Sequence, residues 1–526
     1  MPTLTGKHLI GDQKIASQTA TFAAIDPKTD QPLPTVFYEA TKQEVDQAVK
    51  LAEQAFLTYR QKSSTEIAYF LEQIAEEILA LGSDLIKRAM AETALPQGRL
   101  EGERGRTINQ LRLFASLVRE GSWVDASIDT AQPDRQPAPK VDIRRMLRPL
   151  GPVGIFGASN FPLAFSVAGG DTTSALAAGC PVVIKGHPAH PGTAEMVAGA
   201  IIKAAEKTGM PEGVCALIQG RTNEVGGYLV QHPLIQAVGF TGSYQGGKAL
   251  FDLANQRAVP IPVYAEMGST NPVFILPEAM AQNAHSIAEG LANSVTLGVG
   301  QFCTNPGIVF LPNVSETAQF QAALATKIKD SEVGTMLTNG IAASFNRGVD
   351  HFSKAKEIQL VANGQATPTS NGVKAAIFIT DFEQFKKDAK LSEEVFGPSS
   401  LLVQTANRAE LLEAANQLSG HLTATIHGTP EELLEYQPLI DILERKVGRL
   451  LINGFPTGVE VCHSMVHGGP FPATTAHRTT SVGTEAIKRF TRSVCYQNFP
   501  AALLPDALRD SNPLGIWRLV DGEFIK

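Results

Sequence analysis

The sequence predicts an α/β fold built on a parallel sheet with crossover helices. From Gly151 onward, short apolar runs alternate with helical segments, which is the pattern typical of such a sheet. The chain has 526 residues, of which 43% are hydrophobic and 18% are charged. The charged fraction is below the ~25% of an average soluble protein, which indicates extensive burial. A chain of this length is expected to hold about two to four domains.

The net charge and the number of cysteines argue against some classes of function and cellular compartment. The net charge is −7 and the isoelectric point is about 5.9, so nothing attracts the protein globally to nucleic acid or to an anionic membrane. We therefore predict no nucleic-acid partner and no membrane partner. The five cysteines favour free thiols in a reducing compartment. Residues 1–13 lack the apolar core of a secretory signal, so we expect a cytoplasmic protein.

The first 120 residues are predicted to be mostly helical. Thr41 and Glu44 have the spacing of a capping box, and apolar residues follow them at helical intervals. Further apolar stripes begin at Ile67 and Ile108. Residues 122–150 are more polar and end in alternating apolar and polar positions, which predicts an exposed hairpin or arm. The most apolar stretch, residues 149–184, is interrupted by polar groups and is interpreted as buried core.

Four strands are predicted in the central part of the chain, together with a helix over residues 165–178 that Gly179 ends. The strands cover residues 153–156, 182–184, 215–218 and 237–240. Ligands of open parallel sheets bind beyond the carboxyl ends of the strands, so the residues that follow each strand are the informative ones. They include Asn160, Lys185, Arg221 and Ser243.

Two of these strand ends carry groups that are suited to binding a ligand. Gly242, Ser243 and Gly246 follow a strand and open a helix, where backbone N–H groups stabilise an anion. A glycine-rich turn of this kind is more often only a turn. Lys185 is equally ambiguous, because most lysines at strand ends merely reach solvent.

Cys303 and Glu266 are candidate reactive groups. Small residues flank Cys303 and let a substrate approach its sulfur, although a buried inert thiol is the commoner fate of a lone cysteine. Glu266 has apolar neighbours, and an isolated carboxylate there is expected to have a raised pKa and to act as a base. A paired structural glutamate is the alternative.

Taken together, these residues resemble the aldehyde dehydrogenase superfamily over most of the chain. The motifs that carry the resemblance are Ser159-Asn160-Phe161-Pro162, Val183-Ile184-Lys185, Phe240-Thr241-Gly242-Ser243, Glu266-Met267-Gly268, Gln301-Phe302-Cys303 and Glu394-Val395-Phe396-Gly397-Pro398. The resemblance implies that Cys303 is a nucleophile forming a thiohemiacetal and then a thioester. Asn160 and the Cys303 N–H would stabilise the oxyanion, and Glu266 would activate water or relay a proton.

The resemblance also implies a nicotinamide cofactor and its contacts. Gly242, Ser243 and Gly246 correspond to the pyrophosphate contact, and Lys185 to the adenosine-ribose contact. Glu394 corresponds to the nicotinamide-ribose contact, Phe396 to a wall beside the ring, and His187 to the lining of the cofactor groove.

One departure from the family pattern bears on cofactor choice. Pro188 stands where many NAD-preferring relatives carry a glutamate, and Arg221 at the next strand end is placed to pair with a 2′-phosphate. We therefore predict NADP as the preferred cofactor, with NAD as the alternative.

Within the superfamily, the resemblance is closest to the 2,5-dioxovalerate (α-ketoglutarate semialdehyde) dehydrogenases and the related NADP-dependent fatty aldehyde dehydrogenase. The motifs include Lys185-Gly186-His187 and Val466-His467-Gly468-Gly469. This implies oxidation of 2,5-dioxopentanoate to 2-oxoglutarate, with a medium- or long-chain aliphatic aldehyde as the alternative. A coenzyme A-acylating dehydrogenase and a catalytically silent nucleotide-binding protein on the same fold are rival hypotheses.

The family has three structural parts, which are expected here at defined boundaries. The cofactor-binding domain is predicted at residues 1–121 and 150–266, the catalytic domain at 267–455, and a small β oligomerisation arm and tail at 122–149 and 488–526. The edge strand of the arm predicts at least a homodimer, and a tetramer is left open. Cys462, His463 and His467 supply too few ligands for a structural zinc site, so no metal is predicted.

Overall fold

A computed structural model describes residues 4–17 and 20–526, and residues 1–3 and 18–19 of the predicted cofactor-binding domain therefore lie outside the described residues. The strands, in chain order, are β1 (His8–Ile10), β2 (Gln13–Ile15), β3 (Thr21–Asp26), β4 (Gln31–Tyr38), β5 (Ser127–Asp129), β6 (Ile143–Pro149), β7 (Val153–Phe156), β8 (Val182–Lys185), β9 (Cys215–Ile218), β10 (Ala237–Thr241), β11 (Val263–Glu266), β12 (Val273–Ile275), β13 (Ile308–Pro312), β14 (Gln359–Asn363), β15 (Ala376–Asp381), β16 (Ser399–Thr405), β17 (His421–His427), β18 (Val447–Ile452), β19 (Thr491–Gln497), β20 (Arg518–Val520) and β21 (Glu523–Ile525). The α-helices are α1 (Lys42–Tyr59), α2 (Ser64–Ala80), α3 (Gly82–Thr93), α4 (Gln97–Glu120), α5 (Gly170–Ala178), α6 (Pro191–Thr208), α7 (Asn223–Gln231), α8 (Tyr244–Asn255), α9 (Pro277–Thr296), α10 (Thr317–Lys329), α11 (Asn339–Lys354), α12 (Phe382–Lys387), α13 (Arg408–Gln417), α14 (Pro430–Glu435) and α15 (Gln437–Leu443).

The first sheet is doubly wound, as predicted. Its strand order is β11-β10-β7-β8-β9-β1-β2, and β7 to β11 run parallel. Apolar residues of α2, α4, α5 and α6 form a buried cluster on one face, and those of α1, α7 and α8 form another. The continuous apolar runs that predicted β7 to β10 follow from this double coverage, because neither face of the strands meets water.

Two further large sheets and a two-stranded antiparallel sheet of β3 and β4 complete the fold. The second has the order β14-β15-β16-β13-β12-β17-β18 and is parallel except for β14. The third has the order β19-β6-β5-β20-β21 and joins the arm to the C-terminal tail, because β19 pairs antiparallel with β6 along its whole length. Each sheet draws its strands from one predicted domain, and this architecture confirms the predicted fold class. The domain boundaries themselves stay predictions.

The structure corrects one predicted helix boundary and adds four strands that were not predicted. The helix predicted over residues 165–178 begins only at Gly170, because Gly169 has an extended backbone and the Phe165 carbonyl accepts a bond from the Ala158 N–H. The first 120 residues are mostly helical, as predicted, but their helices all follow residue 41, and β1 to β4 precede α1. β1 and β2 have three residues each, and apolar alternation over so few positions is a weak signal. The capping box at Thr41 and Glu44 is confirmed.

The apolar stretch at residues 149–184 forms β7, α5 and β8. The two strands belong to the first sheet, and α5 contributes to the buried cluster on one face of that sheet. Its interpretation as buried core is confirmed. Among the described residues, no helix combines the length and the apolarity that crossing a bilayer requires.

Candidate active site

The loop that carries Cys303 follows α9 and a short turn at Leu297–Gly300. Val299 in this turn has φ 62°, a conformation that costs a β-branched residue energy and that is concentrated at functional sites. A Cβ atom at Gly300 would lie 2.3 Å from the carbonyl carbon of Gly397, so glycine permits this close approach. The turn therefore brings the Cys303 loop against the segment that contains Glu394 and Phe396.

Two asparagine side chains hold the Cys303 loop in place through hydrogen bonds. The Asn271 Nδ2 group donates to the carbonyls of Cys303 at 2.8 Å and of Asn305 at 2.9 Å. Asn305 in turn donates from Nδ2 to the Gly397 carbonyl at 3.0 Å. Because buried amide groups of this kind hold a loop in one conformation, the position of the Cys303 sulfur is well defined.

The Cys303 side chain contacts the side chains of Glu266 and His467. The Cys303 Sγ atom is 3.4 Å from His467 Nε2, which is 3.0 Å from Glu266 Oε1. The Ser481 hydroxyl donates to Glu266 Oε2 at 2.8 Å. Glu266 ends β11, whereas His467 and Ser481 come from the segment 456–487, which no predicted domain included. This segment is anchored next to Glu266 by a bond from the Met267 N–H to the Ala473 carbonyl.

The predicted raised pKa of Glu266 is wrong. Burial does raise the pKa of this carboxyl, but attraction to His467 and hydrogen bonds from His467, Ser481 and Cys303 outweigh burial and leave the pKa below its ordinary value. The prediction assumed an isolated carboxylate, and these partners are distant in sequence. Glu266 is therefore ionised and ready to accept a proton.

The Cys303 thiol has the opposite shift. Burial and the neighbouring Glu266 charge raise its pKa well above the ordinary value, and the positive charge of Arg106 opposes the shift. Since the thiolate is the reactive form of cysteine, this thiol needs a proton acceptor within reach. His467 Nε2 is the acceptor in the tautomer that carries its hydrogen on Nδ1. In the other tautomer Nε2 donates to Glu266, and the Glu266 carboxylate is the acceptor in contact with the thiol.

Asn160 follows β7 and contacts the Cys303 loop. Its Nδ2 group donates to the Gln301 carbonyl at 2.9 Å. An amide nitrogen carries two N–H donors, so a second donor remains for a substrate oxygen. The oxyanion role of Asn160 stays a prediction.

The glycine-rich turn predicted to bind pyrophosphate adjoins Glu266. Ser243 caps α8, and its hydroxyl accepts a bond from the Gly246 N–H at 3.2 Å. The Gly242 N–H donates to the Glu266 carbonyl at 3.0 Å. The helix N-terminus therefore lies beside the strand end that carries Glu266.

Lys185, His187 and Arg221 form a second group at neighbouring strand ends. His187, Pro188 and Arg221 line one cavity of about 330 Å³. Lys185 is half-buried, and burial lowers its pKa to about 8. Glu39 accepts a bond from the Arg221 N–H at 2.7 Å, which places a carboxylate at the same strand end.

Glu394 faces the loop after β11. Its Oε1 atom accepts a long bond from the Ser269 N–H at 3.4 Å. Part of the side chain is exposed, and partial removal from water by the surrounding protein raises its pKa to about 7. Phe396 is half-buried in the same segment.

The structure does not unite the three residues that were considered as zinc ligands. His463 is exposed and contacts Thr484, away from His467. Among the described residues, the potential ligand atoms that converge are those of Glu266, Cys303 and His467, all within 4.8 Å of one another. The predicted absence of a metal stays a prediction. Sequence reasoning treated His467 as a rejected metal candidate and as part of a family motif, and it missed the contact of His467 with the thiol.

Comparison with known proteins agrees with this geometry. A sequence profile of the aldehyde dehydrogenase family matches residues 14–493. The alpha-ketoglutaric semialdehyde dehydrogenase 2 of Azospirillum brasilense is 50% identical over 521 residues, covering 99% of each chain. The alpha-ketoglutaric semialdehyde dehydrogenase of Acinetobacter baylyi is 48% identical over 518 residues, covering 98% of each chain.

A solved structure shows the same fold. The betaine aldehyde dehydrogenase of Staphylococcus aureus in complex with NAD+ matches with a TM-score of 0.80 at 21% identity, covering 94% of this chain and 95% of that one. The profile match and the two full-length relatives, together with the arrangement around Cys303, lead to one conclusion: the chain belongs to the aldehyde dehydrogenase family.

Proposed function

We propose that this aldehyde dehydrogenase oxidises its substrate to a carboxylic acid through a covalent intermediate on Cys303. The observation that carries the proposal is the contact of the Cys303 sulfur with His467 Nε2 at 3.4 Å, and of that nitrogen with Glu266 at 3.0 Å. These three groups adjoin the α8 N-terminus through Gly242. A thiol, a proton acceptor and an anion-binding turn therefore share one site.

The first step is addition of sulfur to the aldehyde. The Cys303 proton passes to His467 Nε2, in the tautomer that carries its hydrogen on Nδ1, and the thiolate forms a C–S bond to the carbonyl carbon, which leaves a charged oxygen. Asn160 Nδ2 and the Cys303 N–H are the proposed donors to that oxygen, an interaction that contributes roughly 3–4 kcal/mol to lowering comparable barriers.

The chain has donors that fit a dinucleotide. Backbone N–H groups at the α8 N-terminus suit a pyrophosphate, and the Lys185 ammonium suits ribose hydroxyls. We infer that Gly242, Ser243 and Gly246 hold the pyrophosphate, while Lys185, His187, Glu394 and Phe396 hold the ribose and ring ends. A bound nicotinamide cofactor would accept the hydride that leaves the carbon attached to Cys303.

The last step releases the acid. Once the carbon on Cys303 is a thioester, Glu266 accepts a proton from water, and the resulting hydroxide displaces the sulfur. Product formation without coenzyme A follows from this role and separates the hydrolytic enzyme from the acylating rival.

The substrate we propose is 2,5-dioxopentanoate, which would yield 2-oxoglutarate. The support is the identity of about half of all positions, over nearly full length, with two alpha-ketoglutaric semialdehyde dehydrogenases. The aliphatic alternative has support from the aromatic wall of Phe161, Phe165 and Phe302 next to Cys303. Initial rates with 2,5-dioxopentanoate, succinic semialdehyde and hexanal, each with both cofactors, decide between them. A kcat/KM highest for hexanal would refute the proposed substrate.

For the cofactor, we propose NADP over NAD. Replacement of Arg221 by alanine is expected to weaken NADP binding by roughly tenfold or more and NAD binding by less than twofold, because only NADP offers a 2′-phosphate to the guanidinium. Titration calorimetry with both cofactors measures this. Equal losses would remove Arg221 from that role and point to Glu39 as an acceptor for the ribose hydroxyls of NAD.

We also propose that the enzyme is at least a homodimer. β19 lies at the edge of the third sheet and leaves one row of backbone groups unpaired within the described chain. Pairing with a second copy would satisfy these groups.

A further inference from the structure

Arg106 is a half-buried arginine that forms no ion pair with any of the described residues. It lies on α4, and its Nε and Nη2 atoms are buried without a hydrogen-bond partner among the described residues. The nearby carboxylate of Glu103 is already occupied, because it accepts bonds from Arg99 at 2.8 Å and from the N–H groups of Leu163 and Ala164. Arg99, about two turns away on the same helix, is thus paired, whereas Arg106 has no such partner among the described residues.

The unpaired guanidinium lies near the reactive sulfur. The Arg106 Cζ atom is 5.1 Å from the centroid of the Phe165 ring. That ring lies 6.4 Å from the ring of His467, whose Nε2 atom is 3.4 Å from Cys303 Sγ. Arg106 also acts on Cys303 electrostatically, since its charge lowers the pKa of the thiol against the larger effect of burial. The rings of Phe165 and His467 therefore connect Arg106 to the proposed nucleophile.

A buried guanidinium with unmade hydrogen bonds is costly, and a ligand that makes those bonds repays the cost. Arginine stays charged and presents a planar fork that matches a carboxylate with two parallel bonds. Phe161, Phe165 and Phe302 surround this region with apolar surface suited to methylene groups. A substrate with an anionic group at one end, an aldehyde at the other and methylene groups between them would fit the guanidinium, the Cys303 thiol and the apolar surface.

We propose that Arg106 binds the distal carboxylate of an anionic semialdehyde while its aldehyde carbon meets Cys303. This inference rests on the proposed function and adds the residue that selects for charge. In 2,5-dioxopentanoate three carbon atoms separate the carboxylate carbon from the aldehyde carbon, and these two end carbons are about 5 Å apart at ordinary bond lengths. Arg106 is a specificity-determining residue in this account, and Cys303 performs the covalent step.

The test is a comparison of charged and neutral aldehydes in Arg106→Met. The ratio of kcat/KM for 2,5-dioxopentanoate to that for pentanal is expected to fall roughly 100-fold, mostly through KM, because two charge-assisted hydrogen bonds are lost. Any effect of Arg106 on the Cys303 thiol cancels in this ratio, since both aldehydes react with the same sulfur. Inhibition of pentanal oxidation by 2-oxoglutarate is expected to weaken in parallel.

Two further variants keep the test decisive. Arg106→Lys retains the charge and loses the fork, so the ratio is expected to fall about tenfold. Arg112→Met, an exposed position on the same helix that pairs with Glu76, should leave the ratio unchanged. A wild-type preference for 2,5-dioxopentanoate that persists in both Arg106 variants would overturn this inference alone. Absence of that preference in the wild type would overturn the proposed substrate as well.

Discussion

Replacement of Cys303 by alanine is expected to lower aldehyde oxidation by roughly 10⁴-fold or more, because no other group in the site can form the covalent intermediate. Cofactor affinity should change by less than twofold, since the proposed cofactor contacts lie on other loops. Steady-state rates and calorimetry on the same preparation measure both effects.

The matched control is Cys462→Ala. Cys462 is half-buried and belongs to the same 456–487 segment as His467, but it is outside the cluster of converging ligand atoms. Its loss should leave kcat within about twofold of the wild type. Turnover that survives in Cys303→Ala and disappears in Cys462→Ala would reassign the nucleophile.

Replacement of Glu266 by glutamine is expected to preserve one rapid turnover and slow the following ones by roughly 10²- to 10⁴-fold. The amide cannot accept a proton from water, so the thioester on Cys303 should accumulate. Stopped-flow absorbance of the reduced cofactor would show a burst close to one equivalent per site, followed by a slow phase. The exposed Glu485→Gln, which removes a carboxylate paired with Lys488, is the control and should show no burst.

Two results would argue against this role of Glu266. Undiminished steady-state turnover in Glu266→Gln would mean that another group activates water. Release of the stalled intermediate by coenzyme A, with the wild type also forming an acyl-coenzyme A product, would favour the acylating dehydrogenase.

Local sequence patterns predicted the parts of the fold that depend on local interactions. The capping box at Thr41, the buried strands β7 to β10 and the helix end at Gly179 were all predictable, because their signals lie within a few residues. The strand-end position of Ser243 was also predictable, since parallel strands align their carboxyl ends.

The chemical environment of the site was not predictable in the same way. His467 and Ser481 are more than 200 residues from Glu266 in sequence, and only the return of the 456–487 segment over β11 brings them together. The pKa of Glu266 was therefore predicted in the wrong direction. The missing hydrogen-bond partner of Arg106 could not be predicted either, because a helical sequence does not show which groups a guanidinium contacts.

The most direct test of the central claim is to locate the covalent intermediate. Glu266→Gln mixed with oxidised cofactor and 2,5-dioxopentanoate, quenched in acid and digested, should yield one acylated peptide, and fragmentation should place the acyl group on Cys303. An acyl group on another cysteine, or cofactor reduction with no modified peptide under these conditions, would contradict the account.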